Sequence, residues 1–447
     1  MALNVFLASF GFVLMFVLML LRVPIGVAMG ITGVVGFAMH SGLWPGLALL
    51  GQVPWSVVTD YNFSVIPMFV LMGAFASASG MSRDLFHMGE AWFGHRRGGL
   101  AVGSIVACGG FAAINGSAVA TAATMSTIAL PEMRKRGYHP GFAAGVIAAG
   151  GTIGIMIPPS VIFVLYGIMT ETDIAKLFFA GIIPGLMAII MYSITVQIVG
   201  IWRPEWMPRG ELWSWQERFR SLRNIWPVAL LFVFVLGGMY NGFFTTTEAA
   251  GMGAMGALIL GIVRRTLSRA QIMESLVEAL KVTASIFVVV IGAYLFGYFL
   301  TITQTTQAIV DWLTSLPLGP YGILTLILIG YFILGALMDE LAMILLTVPI
   351  VFPVMMKLGF DPVWFGVIIV MAVTLGMICP PVGINVFVIN SIHRDISLPR
   401  IYAGVMPFIA SDIIRLVILC AFPALSLFLP NAMDQPMGQV LRTIFGF

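Results

Sequence analysis

Long apolar runs, almost free of charge, restrict the fold of this chain more than any other feature of its sequence. An α-helix needs about 20 apolar residues to cross a bilayer, and ten runs of that kind occur along the chain. They cover residues 4–21, 23–40, 62–80, 141–170, 177–201, 226–243, 246–263, 283–302, 363–392 and 401–429. Because only 9% of the residues are charged, the chain lacks the polar surface of a soluble protein. The sequence therefore predicts an all-α integral membrane protein.

Two further apolar stretches, 99–131 and 321–353, are interrupted at their centres by polar residues. Asn115 stands in the middle of the first stretch and Asp339 in the middle of the second. Such an interruption is tolerated at membrane depth only where it is buried in protein or faces a watery cavity. We therefore expect each stretch to form a re-entrant hairpin.

Proline pairs predict helix breaks inside two of the spans. Pro158-Pro159 lies in the span 141–170, and Pro380-Pro381 lies in the span 363–392. Proline has no backbone N–H and restricts the residue before it, so each helix should unwind near its proline pair. The carbonyl groups freed by the unwinding are expected to point into the helix bundle.

The basic residues predict an orientation in the membrane. Eighteen of the 22 Lys and Arg residues fall on one side when the N-terminus is placed outside, as the positive-inside rule requires. The segments 81–97, 203–224 and 264–282 mix basic with apolar residues, which predicts interfacial amphipathic helices. For 203–224, which contains Pro204 and Pro208, a solvated loop is an equally good interpretation.

An internal repeat becomes visible when the sequence is shifted against itself by 222 residues. The matching pairs are Pro131 with Pro353, Lys135 with Lys357, Gly137 with Gly359, Pro140 with Pro362, Gly154 with Gly376, Pro158-Pro159 with Pro380-Pro381, and Asp173 with Asp395. This shared register favours the duplication of one unit. Each half would hold five spans and one hairpin, and since five is odd, the two halves would lie inverted in the membrane. Inverted repeats with broken helices are the architecture of secondary transporters.

Polar groups at the hairpin tips and the helix breaks are the candidates for binding. Carbonyl, hydroxyl and amide oxygens can coordinate Na⁺, whereas helix N-termini favour anionic groups of a substrate. The first predicted Na⁺ site consists of Asn115, Ser117, Thr121, Thr152, Gly154 and Pro158. The second predicted Na⁺ site consists of Asp339, Thr374, Gly376, Pro380 and Asn385. The predicted substrate-binding residues are Ser117, Ser160, Gly383 and Asn385. The alternative is that these small residues only let helices pack closely.

Other charged and reactive residues have structural interpretations. Asp412 and Arg415 are three residues apart on one span and are expected to neutralise each other. Glu248 is expected to support a helix N-terminus. The sequence has no phosphate-binding loop, zinc-protease motif or nucleophile elbow, so an enzyme is not indicated. The basic residues are spread over short loops, which argues against nucleic-acid binding.

Five segments of the sequence carry a family resemblance. They are IPMFVLMG (66–73), GGLAVGSIVACGGFAAINGSAVATAATM (98–125), MRKRGYHPGFAAGVIAAGGTIGIMIPPS (133–160), FTTTEAAGMGA (244–254) and TLGMICPPVGINVFV (374–388). In order and spacing they resemble the large membrane subunit of tripartite ATP-independent periplasmic (TRAP) transporters, the DctM family. The resemblance implies a permease of the bacterial inner membrane, and the topology above places both termini in the periplasm.

The resemblance also implies partners and a coupling ion. A small membrane subunit of the DctQ type and a periplasmic substrate-binding protein of the DctP type would work with this chain. The solute would be an organic acid, such as a C4-dicarboxylate, another carboxylate or sialic acid, and a Na⁺ gradient would drive its uptake. The alternative is a stand-alone Na⁺- or H⁺-coupled anion transporter of related inverted-repeat fold.

The fold implied by the resemblance consists of a scaffold and an elevator-type transport domain. We expect residues 1–80 and 225–302 to belong to the scaffold, and residues 81–224 and 303–447 to the transport domain. Each transport part would contain one hairpin and one broken helix. The second hairpin departs from the family pattern, because it presents Asp339 where the first has a tip rich in small polar residues.

Overall fold

The computed structural model describes residues 2–336 and 338–433, and the regular elements in that range are helical. The helices of the first half are α1 Ala2–Leu20, α2 Ile25–Ser41, α3 Leu43–Thr59, α4 Val65–Ala78, α5 Met81–Phe93, α6 Gly99–Asn115, α7 Ala118–Lys135, α8 Pro140–Thr152, α9 Val161–Thr170 and α10 Ile174–Trp202. Those of the second half are α11 Trp215–Asn224, α12 Trp226–Tyr240, α13 Thr246–Val263, α14 Arg269–Ile302, α15 Thr305–Ser315, α16 Pro320–Gly335, α17 Glu340–Lys357, α18 Pro362–Gly376, α19 Ile384–Ile392, α20 Leu398–Ala421 and α21 Ala424–Met433. The predicted all-α class is confirmed, whereas the predicted position of the C-terminus falls on residues 434–447, outside the described range.

Several helices have the length and apolar character that a bilayer crossing requires. Among the described residues these are Tyr61–Ala78, which joins a short 3₁₀ turn to α4, and the helices α10, α13, α14, α17 and α20. Other predicted spans form apolar helices of 10–17 residues, among them α2 and α18, and so does α16 in the predicted second hairpin. The chain is thus a multi-pass membrane protein.

Helix interruptions occur where the polar and proline residues predict them. In the two hairpin stretches, α6 ends at Asn115 before α7 begins, and α16 ends at Gly335 before α17 begins. In the two spans that contain proline pairs, α8 gives way to a 3₁₀ turn and an extended segment before α9, and seven residues separate the end of α18 from the start of α19. The helix breaks predicted near Pro158-Pro159 and Pro380-Pro381 are therefore confirmed.

The helix boundaries recur along the chain with the 222-residue shift found in the sequence. That shift carries the bounds of α7 onto those of α17, and the first residues of α8 and α18 also correspond. The last residues of α9 and α19 are related in the same way. The order hairpin, broken helix, long helix is therefore common to both halves, and their inverted orientation in the membrane stays a prediction.

Three sequence-based boundaries differ from the structure. The segment 264–282, predicted as a separate interfacial helix, continues into the next span as the 34-residue helix α14, because no proline interrupts it. The span predicted at 401–429 is divided between α20 and α21, since Pro423 follows the end of α20. For 203–224, the structure has a 3₁₀ turn followed by a loop and then α11, so both interpretations apply to parts of the segment.

Glycine pairs bring helix backbones into direct contact at the main crossings. A Cβ atom on Gly292 of α14 would lie 1.9 Å from the carbonyl oxygen of Gly26 on α2. A Cβ atom on Gly404 of α20 would lie 2.1 Å from the carbonyl oxygen of Gly141 on α8. Small residues stabilise membrane helix pairs in this way, because close approach increases van der Waals contact. The crossing of α8 and α20 fixes the broken helix of the first half against the second half.

Candidate functional site

The tip of the first hairpin is held by its own hydrogen bonds. Ser117 caps α7, and its side chain accepts a hydrogen bond from the backbone N–H of Ala120 at 3.3 Å. The hydroxyl of Thr121 donates to the carbonyl oxygen of Ser117 at 2.7 Å, and the Asn115 amide donates to the Thr121 hydroxyl at 3.3 Å. Three of the predicted Na⁺ ligands therefore form one cluster of oxygen atoms at this tip.

The first helix break touches this tip directly. A Cβ atom on Gly116 would lie 2.3 Å from the carbonyl oxygen of Pro159. A Cβ atom on Gly154 would lie 2.6 Å from the Ser117 carbonyl oxygen and 2.9 Å from the Thr121 hydroxyl oxygen. The structure thus brings Asn115, Ser117, Thr121, Gly154 and the proline pair together, as the sequence predicts.

Thr152, the remaining residue of the first predicted Na⁺ site, faces a different buried group. Its hydroxyl donates to the carbonyl oxygen of Ala149 at 2.7 Å and lies 3.2 Å from the Tyr192 hydroxyl. Tyr192 donates in turn to Asp412 at 2.7 Å, and Asp412 pairs with Arg415 at 2.8 Å. The hydroxyl of Thr152 therefore belongs to the contact between α8, α10 and α20.

The second hairpin has an acidic tip. Asp339 caps α17, and its carboxylate accepts a hydrogen bond from the Ala342 N–H at 2.9 Å. Glu340 in the first turn of α17 is buried, and its Oε2 atom has no hydrogen-bond partner in the described chain. Behind the tip, the backbones of Gly335 and Gly376 touch, since a Cβ atom on Gly376 would lie 2.6 Å from Gly335 Cα. The second break thus packs against the second hairpin.

The other residues of the second predicted site are spread over a larger region. Thr374 donates to the carbonyl oxygen of Met371 in its own helix at 2.6 Å. Asn385, fully buried, donates to the carbonyl oxygen of Ala148 in the first half at 3.1 Å, and its own amide oxygen has no partner in the described chain. Asn385 therefore lies against α8, and the sequence could not indicate this contact because the two residues are 237 positions apart.

The breaks also contain residues with capping roles. The Ser160 side chain caps α9 by accepting from the Phe163 N–H at 3.4 Å. Gly383 precedes α19 with φ of 58°, in the left-handed region that favours glycine. The Tyr402 hydroxyl lies within hydrogen-bonding distance of two carbonyl oxygens of the second break, at 2.8 Å from that of Pro381. Pro380 itself is exposed.

Both hairpin tips line one cavity of about 560 Å³. The first turns of four helices that begin at a hairpin tip or a helix break contribute to its wall: Val119 of α7, Val161 of α9, Leu341 of α17 and Ile384 of α19. The opposite wall consists of α4 and α14. Because helix N-termini carry partial positive charge, those of α7, α9 and α19 favour an anion inside the cavity. At α17 the carboxyl groups of Asp339 and Glu340 oppose this effect.

Sequence reasoning missed several residues that line this cavity. Helix α14 contributes Glu278, Lys281 and Ser285. Glu278 and Lys281 fall in the segment that the sequence assigns to the membrane surface. The signal that could have found them is their spacing of three residues, which places both on one face of a helix that enters the membrane.

Comparisons with known proteins agree with this architecture. Residues 12–425 match the family described as Tripartite ATP-independent periplasmic transporter, DctM component. A C4-dicarboxylate TRAP transporter large permease protein of Pseudomonas aeruginosa is 38% identical, over 83% of this chain and 86% of that protein. A sialic acid TRAP transporter large permease protein of Vibrio cholerae is 32% identical, over 86% of this chain and 90% of that protein. These relatives are named as permeases, in agreement with the absence of enzyme motifs in the sequence.

One solved structure supports the fold. The crystal structure of the YdaH transporter of Alcanivorax borkumensis, described as having an unusual topology, is similar with a TM-score of 0.61. The similarity covers 86% of this chain and 90% of that one at 14% identity, so it concerns the fold alone. The family match spans both hairpins and both broken helices. The chain therefore belongs to the DctM family of TRAP transporter large permease subunits.

Proposed function

We propose that this permease mediates the Na⁺-coupled uptake of an organic acid across the bacterial inner membrane, with its N-terminus in the periplasm. A periplasmic binding protein of the DctP type delivers the solute, and a small membrane subunit of the DctQ type completes the complex. The relatives described above, which are named for C4-dicarboxylate and sialic acid, support a carboxylate as the solute.

The observation that carries this proposal is the cavity between the hairpin tips. The first turns of α7, α9, α17 and α19 line it together. Broken helices that direct their N-termini at an anionic substrate are a recurring solution in secondary transporters. The rest of the lining combines apolar and polar side chains, so backbone N–H groups and side chains both contribute to polar recognition.

Na⁺ is a co-transported ion in this proposal. The first Na⁺ site is assigned to the oxygen cluster of Asn115, Ser117 and Thr121 beside Gly154. Hard cations are bound by carbonyl, hydroxyl and carboxylate oxygens, and this cluster offers the first two kinds. Thr152 is not included, because its hydroxyl is directed to Ala149 and Tyr192.

The second Na⁺ site is assigned to the region between Asp339 and Gly376. Glu340 adds a buried carboxylate oxygen without a hydrogen-bond partner in the described chain, which a cation would satisfy. Thr374 and Asn385 are directed elsewhere, to Met371 and Ala148. A solute anion would then lie between two cations, so that its charge is balanced during transport.

The proposed movement is of the elevator type. The transport parts, 81–224 and 303–447, would shift against the scaffold parts, 1–80 and 225–302. The cavity supports this division, because one wall consists of hairpin tips and helix breaks and the other of α4 and α14. A shift of the first wall along the second would carry the bound solute across the membrane.

Uptake into proteoliposomes tests the function. The permease is reconstituted with its small subunit, and labelled succinate or sialic acid is supplied with the cognate binding protein. We expect accumulation only under an inward Na⁺ gradient, and Asn115→Ala should raise the Na⁺ concentration for half-maximal uptake roughly tenfold, equivalent to about 1.4 kcal/mol. Thr325→Ala, on an exposed position of α16, is the matched control.

The outcomes separate the proposal from its alternative. Uptake that needs no binding protein would favour a stand-alone anion carrier, and uptake driven equally well by a proton gradient would exclude Na⁺ coupling. An unchanged Na⁺ requirement in Asn115→Ala would show that the first Na⁺ site lies elsewhere.

A further inference from the structure

The cavity between the hairpin tips contains a single cationic side chain among its described lining residues, that of Lys281 on α14. Lys281 is exposed, and no carboxylate of the described chain forms an ion pair with it. Glu278, one turn earlier on the same helix, lines the same cavity but forms no ion pair with Lys281 in the described chain. The ammonium group of Lys281 is therefore available to an anion that enters from outside the protein.

The position of Lys281 along α14 supports a role in binding. It is the last charged residue before the uncharged run 282–302 of that helix. Ionisable residues of membrane helices that face a cavity commonly mark a solute pathway. On the opposite wall, the first turns of α7 and α9 present backbone N–H groups. An anion between these walls would have positive groups on two sides.

We propose that Lys281 binds a carboxylate group of the transported solute and thereby sets the preference of the permease for anionic solutes. This inference rests on the proposed uptake of organic acids. The ammonium group offers three N–H donors, and a charge-assisted hydrogen bond to a carboxylate is stronger than a neutral one. Glu278 opposes the same anion by repulsion, so the two residues act in opposite directions.

Solute binding by the complex of permease and small subunit provides the test. The affinity for succinate and for sialic acid is measured by calorimetry in detergent. We expect Lys281→Gln to weaken the binding of the solute that the wild type recognises by about tenfold or more, whereas Lys281→Arg should retain most of the affinity. Glu278→Gln should bind the anion as tightly as the wild type or more tightly.

Lys135→Gln is the control for the loss of one positive charge, because Lys135 is exposed on α7 outside the cavity and pairs with Glu132. Its affinity should match the wild type, and unfolding midpoints should be the same for all variants. Equal affinity in Lys281→Gln and the wild type would overturn the role of Lys281 and leave the proposed function intact. If the wild type binds neither anion in detergent although the proteoliposomes take it up with the binding protein, the inference fails and the proposed function stands.

Discussion

Gly116 is the residue on which the contact between the first hairpin and the first helix break depends. Its φ of 66° lies in the left-handed region, and its missing side chain makes room for the Pro159 carbonyl oxygen. Any other residue would therefore meet two separate penalties, backbone strain and a clash with a neighbouring backbone. The clash is the penalty that concerns the binding site, because it would separate the tip from the break.

A pair of glycine variants distinguishes these penalties. Gly137 has a φ of 81° and open space around the position of a Cβ atom. Gly137→Ala should therefore lower the free energy of unfolding only by the backbone strain, of order 1–3 kcal/mol. Gly116→Ala should cost more and should reduce the rate of uptake far more than Gly137→Ala. Unfolding midpoints in detergent and uptake, both normalised to protein amount, provide the comparison. Equal uptake by the two variants would show that contact between tip and break is unnecessary for transport.

Single residues could be interpreted from the sequence where their partners are near in the chain. The predicted neutralisation of Asp412 by Arg415 is confirmed at 2.8 Å. Glu248 caps α13 as predicted, in a reciprocal capping box with Thr245. Thr152 could not be assigned in this way, because its partner Tyr192 is 40 residues away. Local spacing determines the first two contacts, whereas helix packing determines the third.

Helix α11 is fixed to α5 by a small polar contact. The Trp92 ring N–H donates to the carbonyl oxygen of Arg218 at 3.2 Å. The Arg218 side chain lies 3.3 Å from Nδ1 of His95, which follows α5. An arginine can only donate, so this contact requires a neutral His95 with Nδ1 as the acceptor. Burial, together with the nearby charges of Arg218 and Arg96, lowers the pKa of His95 below its ordinary value of 6.5.

The attachment of α11 should therefore weaken in acid. Docking of α11 favours the neutral form of His95, so the detached state binds more protons than the docked state. The contribution of this contact to the free energy of docking is therefore lost as the pH falls below about 6.5. Hydrogen exchange of residues 215–224, corrected for the intrinsic rate, should increase between pH 7.5 and 5.5. In His95→Gln, which cannot titrate, the increase should be absent. An identical pH profile in the variant and the wild type would contradict this assignment.

Helices and their interruptions were predictable where proline, glycine or charge marks them. The proline pairs locate both breaks because proline removes a hydrogen-bond donor. Helix α3 was not among the predicted spans, and Pro45 and Pro54 both fall inside it. The sequence predicts a boundary between an interfacial helix ending at residue 282 and a span beginning at residue 283, whereas α14 continues through that point without interruption.

The whole molecule places parts of both halves around one cavity. Asn115 and Asp339, at the two hairpin tips, both line it, although they lie more than 200 residues apart in the sequence. The sequence repeat predicted that the two hairpin interruptions correspond. The wall formed by α14 depends instead on the packing of that helix on α2 and α4. A second cavity of about 580 Å³ lies near the other end of α14 and includes Thr301 and Gln307. Ser285 in the first cavity and Thr301 in the second are separated by roughly 24 Å along the helix.

Alternating access makes a specific prediction for these two cavities. In a chain without its native cysteines, Ser285→Cys should react with a membrane-impermeant maleimide only from the cytoplasmic side, and Thr301→Cys only from the periplasmic side. Met273→Cys, exposed at the start of α14, is the control that reacts from the cytoplasm throughout. Conditions that slow the labelling of one cavity, such as Na⁺ with solute, should speed the labelling of the other, because a shift of the hairpins closes one side as it opens the opposite one. Labelling of Ser285→Cys and Thr301→Cys from the same side would exclude a membrane crossing by α14 between them, and with it the two-sided pathway.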